Sequence, residues 1–310
     1  MRRSTDILAV IVLGWLLAPT SAAWAQSPNM AVVLGGPQVE TVIVTAPKWL
    51  GDHPQTVIQG FVKSYALAAP ISDAISRWRY GICPVTYGLS KAEFNEYVTA
   101  RMREVAHQVD APVQTSSCHH NIEVVFTDKP QDFLDRVKKQ GSTLLGPRPS
   151  QAETVGTMRY AVQAWYATGT RDTNGNLLSD NEDDAFGSDL TSLPSRAVDG
   201  SLIHTGLRSE LSHIYIIADT SKTSNFLLGA VADYIAVLAL SQTQSFDVCK
   251  GIPSITNLVS PACGADLKPT AITDTDLAFL KAVYSMDAGA SFLQQQSYIS
   301  TVIAKSLGVN

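Results

Sequence analysis

The stretch Phe226-Leu-Leu-Gly-Ala-Val-Ala-Asp-Tyr-Ile-Ala-Val-Leu-Ala-Leu-Ser-Gln242 decides how this chain folds. Asp233 is its one charged side chain, and the rest are apolar, small or uncharged. A helix that is apolar on every side has no face to offer water, so it belongs inside a core. Just upstream, His213-Ile-Tyr-Ile-Ile-Ala218 reads as a strand with little alternation, which predicts burial on both faces. A polar turn, Asp219 to Asn225, joins strand and helix. A strand that feeds a core helix is a building unit of α/β or α+β domains, and the expected fold is one mixed sheet with helices packed on it.

Further upstream, Val57, Ile58, Phe61, Val62 and Tyr65 recur at helical spacing and predict an amphipathic helix over residues 54 to 68. Trp78 to Pro84 reads as a loop or short strand. Ser90-Lys-Ala-Glu93 has the form of a capping box, and Phe94, Tyr97, Val98, Met102 and Val105 behind it predict a helix reaching about Val109. Asn121-Ile-Glu-Val-Val-Phe-Thr127 alternates and is β-branched, as a strand should be. Residues 130 to 140 predict a short helix that starts on a proline, and Tyr160 to Thr168 a further strand. The polar stretch of about 35 residues that follows is the length at which a loop is usually functional or mobile.

The N-terminus carries Arg2 and Arg3, an apolar run from Ile7 to Ala18, and Ala23-Trp24-Ala25 ahead of Gln26. This is the pattern of a secretory signal peptide over residues 1 to 25, with a small-residue cleavage site. The apolar run falls short of the roughly 18 to 20 residues that span a bilayer, so no membrane insertion is expected after cleavage. Residues 26 to 55 read as a tail or edge strand, and 56 to 310 as one globular domain. The formal charge is −5, with no basic stripe, which argues against nucleic acid and anionic membrane as partners. Routing to the periplasm or beyond is oxidising, so the four cysteines favour two disulfides over metal thiolates. Four cysteines allow three pairings. Cys83 with Cys118 and Cys249 with Cys263 are preferred, because each pair flanks a compact segment and closes a short loop.

The core helix resembles that of the metzincin metalloproteases, H-E-x-x-H-x-x-G-x-x-H, with the ligands replaced. On that frame stand Ala232, Asp233, Ala236, Ala239 and Gln242. Ser254-Ile255-Thr256-Asn257 stands where the family carries its S-I-M-N-like turn beneath the metal. Thr273-Asp-Thr-Asp276, continuing to Leu280 and Tyr284, is similar to its T-x-x-D-x-x-x-L-x-x-L-Y closing helix. The resemblance covers roughly the last 75 residues and implies a zincin-like scaffold. It also implies that the zinc chemistry is gone, since methyl groups and an amide bind Zn²⁺ poorly. Asp233 is then a buried structural carboxylate, expected to find its partner near the 254 to 257 turn. Two shorter resemblances supply no activity. Val39-Glu-Thr-Val-Ile-Val-Thr-Ala-Pro47 resembles the segment that follows the signal in TonB-dependent receptors, without their barrel, and Cys118 to Phe126 resembles a strand of secreted proteobacterial proteins of unknown function.

Other chemistry is thinner. His119 and His120 are adjacent, so they point apart and cannot easily share an ion, and His53, His107, His204 and His213 show no ligand spacing. Asp172, Asn174, Asn176, Asp180 and Asp183 fall at oxygen-ligand positions of an EF-hand-like loop. That loop lacks the Gly at position 6 and the apolar residue at position 8, leaving weak Ca²⁺ binding beside a solvated acidic loop. No G-x-S-x-G elbow supports a serine hydrolase. The expectation is a non-catalytic envelope protein that binds a peptide or protein along an edge strand, with Trp165 and Tyr166 as binding residues. Two alternatives stay open: a hydrolase with an atypical metal site built on His119 or His120, and a purely structural envelope protein.

Overall fold

The computed structural model describes residues 50–69, 72–115, 117–140, 156–172, 174–178, 206–243 and 248–309. The expected signal peptide, the Val39 to Pro47 run, most of the polar stretch, and Asp180 and Asp183 lie outside the described residues.

Helix α1 (Pro54–Tyr65) starts on a proline, whose fixed φ suits the first turn. It buries Ile58, Phe61, Val62 and Tyr65, the i, i+3, i+4, i+7 stripe of one helix face. It ends before Ala68 because Ala66 turns extended and bridges to Thr243. Strand β1 (Pro84–Tyr87) leads to α2 (Ala92–Gln108), which buries Val98, Met102, Val105 and Ala106. The expected capping box is not formed. The cap residue is Lys91, with no side-chain cap bond, and Asn95 binds the loop instead by accepting from Leu89 N (3.1 Å). Between strand and helix, Gly88 has φ +93 and sits so close to the Phe126 carbonyl that a Cβ would not fit.

Strand β2 (Ile122–Thr127) alternates buried and half-buried, as its sequence does. It is followed by α3 (Pro130–Gln140), β3 (Val162–Asp172), the two-residue β4 (Leu177–Leu178) and β5 (Leu207–Asp219). The sheet order is β1-β2-β5-β3-β4. β1, β2 and β5 run parallel, while β3 is antiparallel to both β5 and β4. The fold is therefore a mixed α/β arrangement, and β5 is the inner strand that the sequence pattern around Ile216 and Ile217 predicts.

One turn, Thr220–Thr223, capped by Asp219, connects β5 to α4 (Leu228–Leu240). Every residue of α4 from Ala230 to Leu240 is buried. Helices α5 (Asp274–Ser285) and α6 (Phe292–Ser306) complete the chain. Ile122, Val124, Ile214, Ile216, Val162 and Ala164 turn one face of the sheet toward α1, α2, α4, α5 and α6, forming the main core. Phe61, Tyr65 and Phe279 join α1 to α5 there, with Tyr65 edge-on to Phe279 at 4.4 Å between centroids. The opposite face carries only α3 among the described residues, over a small cluster of Leu134, Trp165 and Ile217. Both expected disulfides are present, Cys83–Cys118 and Cys249–Cys263. Such bonds fit an oxidising compartment. No helix among the described residues is long and apolar enough to cross a membrane.

Candidate functional site

The helix positions singled out in the sequence face the closed core. Ala232, Ala236 and Ala239 are each 0 % exposed. Gln242, just past the end of α4, is half-buried and accepts from Ser76 Oγ at 3.1 Å, and that hydroxyl also meets Ser209 Oγ at 2.7 Å. The amide is thus engaged in tying the helix end to β5.

Asp233 does not bond the 254 to 257 turn, which corrects the expectation. Its Oδ1 accepts from Arg101 Nε at 2.5 Å and its Oδ2 from Ile272 N at 2.8 Å. Arg101 also meets Glu104 at 2.8 Å. Burial alone would lower the Arg101 pKa, but the bonds to Asp233 and Glu104 outweigh it and hold the guanidinium more firmly protonated. The buried carboxylate is thus paired with a guanidinium and held by a backbone N–H. Arg101 escapes sequence reading because it flanks, rather than joins, the apolar stripe of α2; its place three residues after Val98 was the available signal.

Asp276, not Asp233, holds the turn. Ser254 caps a short 3-10 turn, Ile255–Asn257, that is buried against α4. Asp276 Oδ1 accepts from Ser254 Oγ (2.5 Å), and Oδ2 accepts from Ile255 N (2.9 Å), Thr273 N (2.9 Å) and Thr273 Oγ1 (2.8 Å). The bond from Thr273 N, together with Asp276 N donating back to Thr273 Oγ1 at 3.1 Å, forms the capping box of α5. Burial pushes the Asp276 carboxyl above the usual carboxylate range despite these donors. Thr256 occupies the middle of the turn with its hydroxyl 2.7 Å from Ser254 Oγ. Asn257 closes the loop from inside, donating to Ile252 O and Leu267 O and accepting from Lys250 N. The Cys249–Cys263 bridge spans this same loop.

The C-terminal end of α4 leaves carbonyls that the helix cannot satisfy itself. Trp78 Nε1 donates to Ala239 O and the Tyr284 hydroxyl to Leu240 O, each at 2.7 Å, and Ser241 Oγ donates to Val237 O. These caps come from segments far away in sequence, so no local pattern announces them.

Strand β3 carries the expected binding residues. Asp219 N donates to Ala161 O at 2.8 Å, which fixes the ladder phase. By antiparallel alternation, Gln163, Trp165 and Ala167 bond toward β5, whereas the backbones of Ala164 and Tyr166 point away from it. β4 pairs only with Thr170 and Arg171, so no described residue pairs with that outward edge. Trp165 and Tyr166 lie on opposite faces. Trp165 is 5 % exposed and stacks on Tyr215 at 5.1 Å, while the half-buried Tyr166 packs against the main core. They do not form one patch.

His119 and His120 are exposed in the loop before β2, and among the described residues no group of three His, Cys, Asp or Glu could hold a metal ion. In the EF-hand-like segment, Asp172 is buried and both its oxygens accept from Asn176, at 2.8 Å from N and 2.8 Å from Nδ2. This closes the β3–β4 turn, while Asn174 points to solvent. Comparison with protein-family models, with curated proteins and with solved structures finds no match to this chain.

Proposed function

We propose that this is an exported, non-catalytic binding protein of the cell envelope, built on a metzincin-like scaffold whose metal site is dismantled, and that it takes an extended peptide as an added strand along β3. The observation that carries the reading is the outward backbone of Ala164 and Tyr166, which no described residue pairs. Such a row of N–H and C=O groups is a template for strand addition. The bulge between Ala167 and Thr168 and the short β4 confine the open part to a few residues.

Two further features support the scaffold. The order strand β5, core helix α4, buried turn and capped α5 is the order that the resemblance implies. Ala232 and Ala236 are closed in, and Asp233 is committed to Arg101, which leaves no base or ligand set on α4. The paired cysteines favour an oxidising compartment, in keeping with the signal-like N-terminus.

The test is hydrogen exchange on the exported protein with a panel of extended peptides. A bound peptide should slow exchange at Ala164 and Tyr166, and Ala164→Pro should abolish this, since that N–H is not part of the β3–β5 ladder. Thermal melting checks that the variant folds. Peptides that bind without protecting these two amides, or that bind Ala164→Pro equally well, would refute the reading.

A further inference from the structure

Between α3 and the outer face of the sheet lies a cavity of about 210 Å³, and nothing in the strand-addition reading uses it. Glu123, Val125, Phe133, Val137, Trp165 and Tyr215 line it. Its walls follow from strand register. Glu123 of β2, Tyr215 of β5 and Trp165 of β3 are direct neighbours across three strands, so their side chains stand in one row on one face. Trp165 and Tyr215 stack at 5.1 Å between centroids with 19° between planes. His213 extends the stack, 4.3 Å from Tyr215. Phe133 and Val137, one helical turn apart on α3, form the roof.

Glu123 is the only charged side chain among the described residues lining the cavity. Its carboxylate approaches His213 Nε2 at 3.4 Å. Burial lowers the His213 pKa, so at neutral pH the imidazole is uncharged and does not cancel Glu123. The site thus combines aromatic faces, aliphatic walls and one negative charge. We propose that it binds a small organic cation with an alkylated ammonium head group.

The alternatives fit the lining less well. A metal ion needs several oxygen or nitrogen ligands, and the row offers one carboxylate. A primary ammonium brings three N–H donors that these walls leave mostly unpaired, and a sugar brings more hydroxyls than Glu123 and the Tyr215 phenol can meet. An alkylated ammonium has no N–H to satisfy and is attracted to ring faces and to a carboxylate alike. The volume lies below the roughly 300 Å³ at which drug-sized pockets begin, which suits a head group rather than a large molecule.

The experiment is calorimetric titration of the full exported chain with choline and with its neutral isostere 3,3-dimethylbutan-1-ol. Choline should bind saturably, at least about tenfold tighter than the isostere, the scale of a desolvated cation–π contact. Glu123→Gln should weaken choline by about tenfold and leave the isostere unchanged. Because Glu123 is partly exposed, that variant should fold. Val137→Phe, which fills the space without touching the charge, should weaken both ligands. Absence of saturable choline binding, an isostere bound within about threefold of choline, or a Glu123→Gln variant that binds choline as wild type does would each overturn the proposal.

Discussion

The two faces of the sheet are built on different terms. On the inner face, α4 is buried all round, its carboxylate is paired with Arg101, its last carbonyls are capped by Trp78 and Tyr284, and the turn beside it is held by Asp276. On the outer face, one described helix covers a row of aromatic rings with a cavity left beneath it. The polar groups around α4 and its neighbouring turn bond to one another and tie these elements together. The outer face and the β3 backbone at Ala164 and Tyr166 are where the proposed ligands would bind. The two faces therefore differ in what they leave open: the inner one is closed around α4, and the outer one keeps a cavity of about 210 Å³ under α3.

That contrast can be broken first at Asp276. Asp276→Ala strands two backbone N–H groups and two hydroxyls in the core, and roughly 4 kcal/mol of unfolding free energy should be lost in a urea titration. A loss below about 1 kcal/mol would mean that the inner network is not what holds the turn.

Removing the Cys249–Cys263 bridge by paired substitution to Ser should cost about 3 kcal/mol, the chain entropy of releasing a loop closed 14 residues apart. Non-reducing peptide mapping checks the pairing, and calorimetry the shift in melting temperature.

Arg101→Ala should cost about 2 kcal/mol, less than for a wholly buried pair because 19 % of the Arg101 side chain stays exposed. Asp233→Asn should likewise change stability rather than any turnover. If the two residues act as a pair, the double variant will lose less than the sum of the single ones. Strict additivity in chemical denaturation would separate them.

The smallest effect belongs to the outer face. Folded His213 has a lowered pKa, so between that value and the unfolded value of about 6.5 the unfolded chain binds more protons. Stability therefore falls as pH drops from 7 through this range. His213→Gln should flatten the difference curve there, and an unchanged slope would remove His213 from the account.

Much of this was legible in the chain, and the limits have physical causes. Periodicity located α1, α2, β2 and the buried α4, because each expresses a repeat of its own residues. The strand containing His213 is longer than its apolar run. Leu207 to Ser212 includes Ser209 and Glu210, and Glu210 is accommodated in the sheet with Arg171 of β3 meeting its carboxylate at 2.6 Å. The box at Ser90 failed for a related reason, since Asn95 competes for the same loop backbone. Thr273 and Asp276 stood out in the sequence only through the resemblance, although the box they form lies within one turn. The partner of Asp233 was not legible, since Arg101 lies 132 residues away. Trp165 and Tyr166 are both binding candidates of the Tyr160 to Thr168 strand, and the strand places them on opposite faces.

The central proposal is that α4 stands where metzincins carry their catalytic helix, without its chemistry. It is tested most directly by elemental analysis of the purified exported protein together with a peptide-library cleavage assay, with and without chelator. The account predicts substoichiometric zinc and no chelator-sensitive cleavage, because Ala232, Ala236 and Gln242 supply no imidazole and Asp233 is bound to Arg101. One zinc per chain with cleavage abolished by chelator would contradict it and turn attention to His119 and His120.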